Sequence, residues 1–214
     1  MKTSVKKLVL MSMLAAAAYV IVALVRIPVV LFLKYEPKDV IITIGGFLMG
    51  PMSAFVISAV VSLLEMVTLS ETGPIGCLMN LISTCAFACV AAGMYKRKHT
   101  LAGAVTGLAL GSVIMVGIML LWNWLITPLY MGVSRKAVEG MLLPAFLPFN
   151  LLKAGLNTAL TLGLYKPLVT ALRRAGLVQS GSGEGRGSRW GVILLSAGLL
   201  ATCILLLLVM QDKI

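Results

Sequence analysis

Apolar residues along this chain come in long unbroken runs, with polar residues gathered into short clusters between them. Four runs carry no charge over lengths that match a bilayer: Leu8–Val25, Val40–Leu64, Leu101–Ile126 and Trp190–Met210. A helix rising 1.5 Å per residue needs about 20 apolar residues to cross a hydrocarbon core of about 30 Å. Short alternating segments of the kind that build membrane barrels are absent. The pattern predicts an all-α, multi-pass membrane protein.

The run that resists simple reading is "DVIITIGGFLMGPMSAFVISAVVSLLEMV". Val40–Leu64 is either one tilted span or two helices broken at Gly45-Gly46 or Gly50-Pro51, because glycine suits a helix end and proline a helix start. Splitting the run with the N-terminus inside puts Lys2, Lys6, Lys7, Lys96, Arg97, Lys98, Lys166, Arg173, Arg174, Arg186 and Arg189 in the cytoplasm. That is 11 basic residues against 6 outside, namely Arg26, Lys34, Lys38, Arg135, Lys136 and Lys213. An unsplit run with the N-terminus outside gives the same balance, and the dense Lys2/Lys6/Lys7 cluster tips the choice towards splitting. The predicted helices are then 5–25, 38–50, 51–69, 76–95, 101–127 and 147–172. A Gly/Ser-rich tether, "SGSGEGRGSRWG", leads to a seventh span that is apolar all round and faces lipid. The domain reading is 1–174 for a six-helix unit, 175–189 for the linker and 190–214 for the last helix and tail.

Composition sharpens this picture. Of 214 residues, 60% are hydrophobic and 12% charged, with a mean hydropathy of +1.04. A soluble domain of this length could not hide so much apolar surface. The formal charge of +11 is not a nucleic-acid signal, because the basic residues form loop clusters that encode topology. The start, "MKTSVKKLVLMSMLAAAAYV", imitates a signal peptide, but its apolar run continues to Val25 and reads as a retained first helix. Cys77, Cys85, Cys89 and Cys203 lie in apolar segments without metal or disulfide spacing, and read as small hydrophobic side chains.

Chemistry is sparse. His99 belongs to the loop "YKRKHT"; Glu36 and Asp39 fall in one outer loop, Glu65 and Glu71 near another, and Glu139 in a third. No nucleophile triad, metal-ligand pair or phosphate-binding P-loop is present, so no catalytic or metal-binding residue is assigned. Polar residues inside apolar helices carry more information. In "LPFNLLKAGLN", Asn150, Lys153 and Asn157 fall at offsets of 0, 3 and 7, which share one helical face. An intramembrane lysine costs about 2.5–3.5 kcal/mol on insertion scales, so such a stripe needs a purpose. Either Asn150 caps the helix and Lys153 snorkels to headgroups, or the stripe is one wall of a binding site. Asn80, Trp122, Asn123, Trp124, Tyr130 and Phe149 lie at the same predicted depth, and mix ring faces with amides as a flat heteroaromatic ligand requires. The tryptophans also suit an interfacial aromatic belt.

Four stretches, "LKYEPKDVIITIGGFLMGP", "GPIGCLMN", "NWLITPLYMGVSR" and "LLPAFLPFNLLKAGLN", resemble the substrate-binding S components of energy-coupling factor (ECF) vitamin transporters, in particular the riboflavin-specific branch. The resemblance spans residues 1 to about 174 and implies a six-helix S-component bundle around a cavity open to the outside of a bacterial cell, with an additional C-terminal transmembrane helix. It implies flavin contacts at Asn123, Asn150 and Lys153, and a gate that includes Tyr35. It also implies two ATPase subunits and a transmembrane coupling subunit as partners. The coupling subunit would meet the small residues of the first helix, Ser12, Ala15 and Ala16, of which Ser12 and Ala16 have the four-residue spacing. Riboflavin would be cargo and not a cofactor, and the only other partner is the lipid bilayer.

Riboflavin suits the residues, since its ring edge alternates carbonyl and N–H groups that an asparagine amide can meet with both donor and acceptor. Three rival readings remain at this point. One is an S component for another vitamin, one an intramembrane enzyme on lipid substrates, and one a purely structural membrane partner.

Overall fold

The computed structural model describes residues 5–31, 33–69, 72–174 and 189–210. Helix α1 (Val5–Leu24) leads into a two-stranded antiparallel hairpin, β1 (Ile27–Val30) and β2 (Leu33–Tyr35). Helices α2 (Lys38–Met49), α3 (Pro51–Thr68), α4 (Gly73–Lys98) and α5 (Leu101–Met131) follow. Next come the short α6 (Arg135–Met141), one π-helical turn at Leu142–Phe146, α7 (Leu147–Arg174) and α8 (Arg189–Met210). Among the described residues, six helices are long and apolar enough to cross a membrane.

The break between the second and third helices falls where proline and glycine place it. Gly50 adopts φ +95°, a backbone that L side chains rarely take, and Pro51 opens α3. The expected seven spans need one correction: α2 has 12 residues, about 18 Å of helix at 1.5 Å per residue, too short to cross alone. The hairpin precedes it in the chain, and the bundle is all-α apart from this ribbon. Its register pairs Ile27 with Tyr35, Pro28 with Lys34 and Val30 with Leu33, with an irregularity between Pro28 and Val30. Val29, Leu33 and Tyr35 are buried, so the hairpin packs its apolar face into the bundle beside Phe146, Phe149 and Leu152.

Caps fix the other ends. Thr100 accepts from the Gly103 N–H and Ser134 from the Ala137 N–H. Lys96, Arg97 and Lys98 occupy the last turn of α4, where the helix dipole favours cations. The stretch 128–146, expected as an outer loop, is instead mostly helical through α6 and the π turn.

Close helix contact depends on small residues, because lipid supplies no hydrophobic drive for association. A Cβ on Gly111 would lie 2.6 Å from the Phe87 carbonyl oxygen, and one on Gly107 would lie 2.8 Å from that of Ala91. On α1, Leu14, Ala15 and Ala18 face the core, whereas Ser12 and Ala16 are exposed. Helix α8 lies antiparallel along α7, with Ser196 beside Gly163 and Cys203 beside Gly155. Its other faces are open, as expected for a lipid-facing span. Residues 175–188 of the expected tether lie outside the described residues.

Candidate functional site

A cavity of about 120 Å³ opens at the end of the bundle that carries the hairpin. The exposed basic residues Lys96, Arg97, Lys98 and Arg174 lie at helix ends on the opposite side. Helix α4 contributes Gly76, Met79, Asn80 and Ser83, a spacing that holds all four on one helical face. Helix α5 adds Met119 and Asn123, one turn apart, and α7 adds Phe149, Asn150 and Lys153. Glu65 and Leu69 close the α3 side, and Leu33, Lys34 and Glu36 come from the hairpin and its exit. The lining therefore joins apolar surface to amides, a hydroxyl and charges of both signs.

Two polar circuits hold these groups. In the first, Lys153 Nζ lies 3.2 Å from Asp39 Oδ2 and donates to Ser83 Oγ at 3.2 Å. Asp39 is 1% exposed. Its Oδ1 accepts from Thr84 Oγ1 at 2.6 Å, and its Oδ2 from Asn157 Nδ2 at 3.1 Å. Tyr35 completes the circuit by donating its hydroxyl to Asn157 Oδ1 at 3.1 Å. Burial pushes the Tyr35 phenol above its ordinary range, and the neighbouring Asp39 carboxylate and Cys203 thiol add to this. Tyr35 is therefore a neutral donor at physiological pH.

The second circuit ties the hairpin to α3 and α4. Arg26 pairs with Glu36 at 3.1 Å and donates to the Leu69 carbonyl at 2.9 Å. Lys38 is 1% exposed and lies 2.8 Å from Glu36 Oε2, while it donates to Glu65 Oε1 at 2.6 Å. Asn80 Nδ2 donates to Glu65 Oε2 at 2.8 Å. Buried charges are tolerable when paired and hydrogen-bonded in this way.

The structure brings together Asn80, Asn123, Phe149, Asn150 and Lys153 around the cavity. The amides of Asn123 and Asn150 are anchored by donation to the carbonyls of Met119 and Phe146, at 2.7 and 2.8 Å. Asn123 Oδ1 also accepts from Thr127 Oγ1 at 2.9 Å. Asn157 and Tyr35 sit behind the lining, in the Asp39 circuit. The two tryptophans are elsewhere. Trp122 packs into the α4–α5–α7 core. Trp124 donates to Glu139 at 2.9 Å and lies under the Arg135 guanidinium, 5.0 Å from the ring centre. The side chain of Tyr130 lies outside the described residues.

Sequence reasoning passed over Ser83, Met119, Asp39, Lys38 and Glu65. Asp39 and Lys38 belong to the first turn of α2 and not to a loop, and Glu65 is 1% exposed inside α3. The available signal was Glu65 itself, a lone acid closing the run "VVSLLEMV".

Comparison with known proteins agrees with this architecture. Residues 6–165 match the family model for the substrate-specific component of ECF transporters. The chain is 25% identical over 178 residues to the riboflavin transporter RibU of Staphylococcus aureus (strain TCH60), covering 79% of this chain and 93% of that protein. It is 29% identical over 161 residues to the riboflavin transporter FmnP of Bacillus subtilis (strain 168), covering 70% of this chain and 84% of that protein. A solved structure, described as the S component of a bacterial ECF transporter, superposes with a TM-score of 0.66 at 26% identity. It covers 79% of this chain and 98% of that one. With a multi-pass helical bundle, a hairpin-covered polar cavity and a family match across most of its length, this chain belongs to the ECF transporter substrate-specific components, which bind substrate in the membrane and are not enzymes.

Proposed function

We propose that the cavity binds riboflavin at the outer face of the cell membrane and that ATPase-driven partners carry it inward. The observation that carries this reading is the meeting of Asn80, Asn123, Asn150 and Lys153, from three helices, around one partly apolar hollow. Asparagine amides can meet the alternating carbonyl and N–H groups of a flavin ring edge, Lys153 can donate to carbonyl or hydroxyl oxygens, and Phe149 and Met119 offer surface to the ring plane. The relatives named for riboflavin support the same ligand.

The cavity of about 120 Å³ is smaller than the 300 Å³ or more typical of sites for drug-sized ligands. A ligand of riboflavin's size therefore needs the lining to spread, and in this reading the element that moves is the β1–β2 hairpin, which supplies Leu33 and Lys34 to the cavity and carries Tyr35. The basic end of the bundle, with the N-terminus, faces the cytoplasm by the positive-inside rule, which points the hairpin outward. One coupling subunit and two ATPase subunits are the partners of this reading. Ser12 and Ala16, exposed on α1, offer the coupling subunit a close approach; Ala15 is turned into the bundle.

The test is quenching of riboflavin fluorescence by the purified full-length protein, with a panel of other vitamins as competitors. Saturable quenching at micromolar riboflavin or below is expected. Folded protein that leaves riboflavin fluorescence unchanged would overturn the proposal, and displacement by a different vitamin would reassign the ligand.

A further inference from the structure

Helix α8 lies beyond the family match, which ends at residue 165, and its position relative to the cavity suggests a purpose. One stripe of α8 is covered: Ser196 and Cys203 are buried, and Leu199, Leu200, Leu206, Leu207 and Met210 are partly so. These positions recur at intervals of three and four, the spacing of a helix seam, while Ile193, Leu194, Leu195, Ile204, Leu205 and Val209 remain open. The seam is keyed to α7 at Gly155, where an added Cβ would stand 2.5 Å from Cys203 Sγ. Beyond that point the last turns of α8 reach β1 and join the apolar cluster formed by Val29, Leu33 and Tyr35 of the hairpin.

We propose that α8 is a buttress for the gate: seated on Gly155, it packs against the back of the β1–β2 hairpin and holds it down over the cavity, slowing ligand escape through that mouth. The hairpin alone is a short two-stranded ribbon, an element of marginal stability without a packing partner. A surface that packs closely against the hairpin only when it is down favours the closed arrangement by the van der Waals contact made there. The proposal rests on the riboflavin reading for its ligand, but not for the contact between α8 and the hairpin.

The experiment uses the full-length protein and three variants: Gly155→Ala, the double variant Gly155→Ala/Cys203→Ala, and Leu206→Ala/Met210→Ala. Two quantities are measured: amide exchange of residues 27–35 without ligand, and the riboflavin dissociation rate after addition of excess competitor. Alanine is a better helix former than glycine, so Gly155→Ala does not weaken α7 itself. It should unseat α8, and raise both exchange at 27–35 and riboflavin release by about tenfold, while exchange in α4 stays unchanged. Removing the sulfur in the double variant should restore both values to within about twofold, which general damage would not do. Leu206→Ala/Met210→Ala should loosen the hairpin with α8 still docked.

Unchanged exchange and release in both Gly155→Ala and Leu206→Ala/Met210→Ala would overturn the buttress. So would a parallel rise throughout α4 and α5. If no variant and no parent protein binds riboflavin, the riboflavin reading fails, and exchange at 27–35 alone decides the role of α8.

Discussion

Lys153 and Asp39 form an ion pair across 3.2 Å, the aspartate almost wholly buried and the lysine at the cavity wall. They come from α7 and α2, and through Thr84, Ser83, Asn157 and Tyr35 they bind α4 and the hairpin to the same point. Lys153 therefore has two duties, holding the bundle and facing the ligand, and single substitutions confound them.

A double substitution separates those duties. Lys153→Met leaves a buried carboxylate without its cation and should cost about 3–5 kcal/mol, seen as a Tm lower by roughly 10 °C. Asp39→Asn/Lys153→Met removes both charges and should recover most of that loss in a detergent thermal melt. Riboflavin quenching should remain lost in both. Recovery of binding together with stability would show that Lys153 only supports the wall.

Asn123 and Asn150 are held more locally, each by a carbonyl four residues earlier in the chain, on α5 for Asn123 and in the π turn leading into α7 for Asn150. Neither bridges two helices through that bond, so replacing either should barely move Tm. Asn150→Ala and Asn123→Ala should each weaken riboflavin binding by about 10- to 100-fold, the loss of one or two hydrogen bonds in a desolvated site. Titration of fluorescence quenching measures this. Full affinity in both variants would remove the amides from the site.

The parts of this fold that sequence could reveal were those set by local chemistry. The α2–α3 break follows from Gly50-Pro51, and the shared face of Asn150 and Lys153 follows from their spacing. The hairpin was hidden because "IPVVLFLKY" offers no polar alternation in a chain where apolar residues surround everything. Lys38 and Asp39 resembled loop residues because charge normally marks a loop. Their partners, Glu65 and Lys153, are distant in sequence, and only the packing of α2 against α3 and α7 reveals the pairing. The seam of α8 was missed for a related reason. Its contact residues are apolar like their neighbours, and only the small Ser196 and Cys203 distinguish that stripe.

The Lys38 circuit gives an ordering that does not depend on any ligand. Lys38 lies between Glu36 and Glu65, and Glu36 also has Arg26. Lys38→Met leaves Glu65 without a cation, at a cost of about 3–5 kcal/mol. Glu65→Gln preserves hydrogen-bonding capacity and leaves Lys38 paired with Glu36, so its cost should be less than half as large. Thermal melts of the two variants test the order, and equal losses would mean that Glu36 contributes nothing to holding Lys38.

Two glycines on α5 distinguish close packing from helix propensity. Gly111 faces α4, where an added Cβ would sit 2.6 Å from the Phe87 carbonyl oxygen, a backbone atom that cannot step aside as a flexible side chain would. Gly117, six residues further on, has nothing within 4 Å of the same position. Both lie in regular helix, so alanine gains up to about 1 kcal/mol of intrinsic helix preference at either site. At Gly111 that gain is opposed by forcing α4 and α5 apart, with an overpacking cost of about 1–3 kcal/mol. Gly111→Ala should therefore lower Tm and Gly117→Ala should hold or raise it. Since α4 and α5 carry Asn80, Ser83 and Asn123, spreading them should also weaken riboflavin binding in Gly111→Ala alone. A stable Gly111→Ala protein with intact binding would mean that the α4–α5 contact is looser than these positions require.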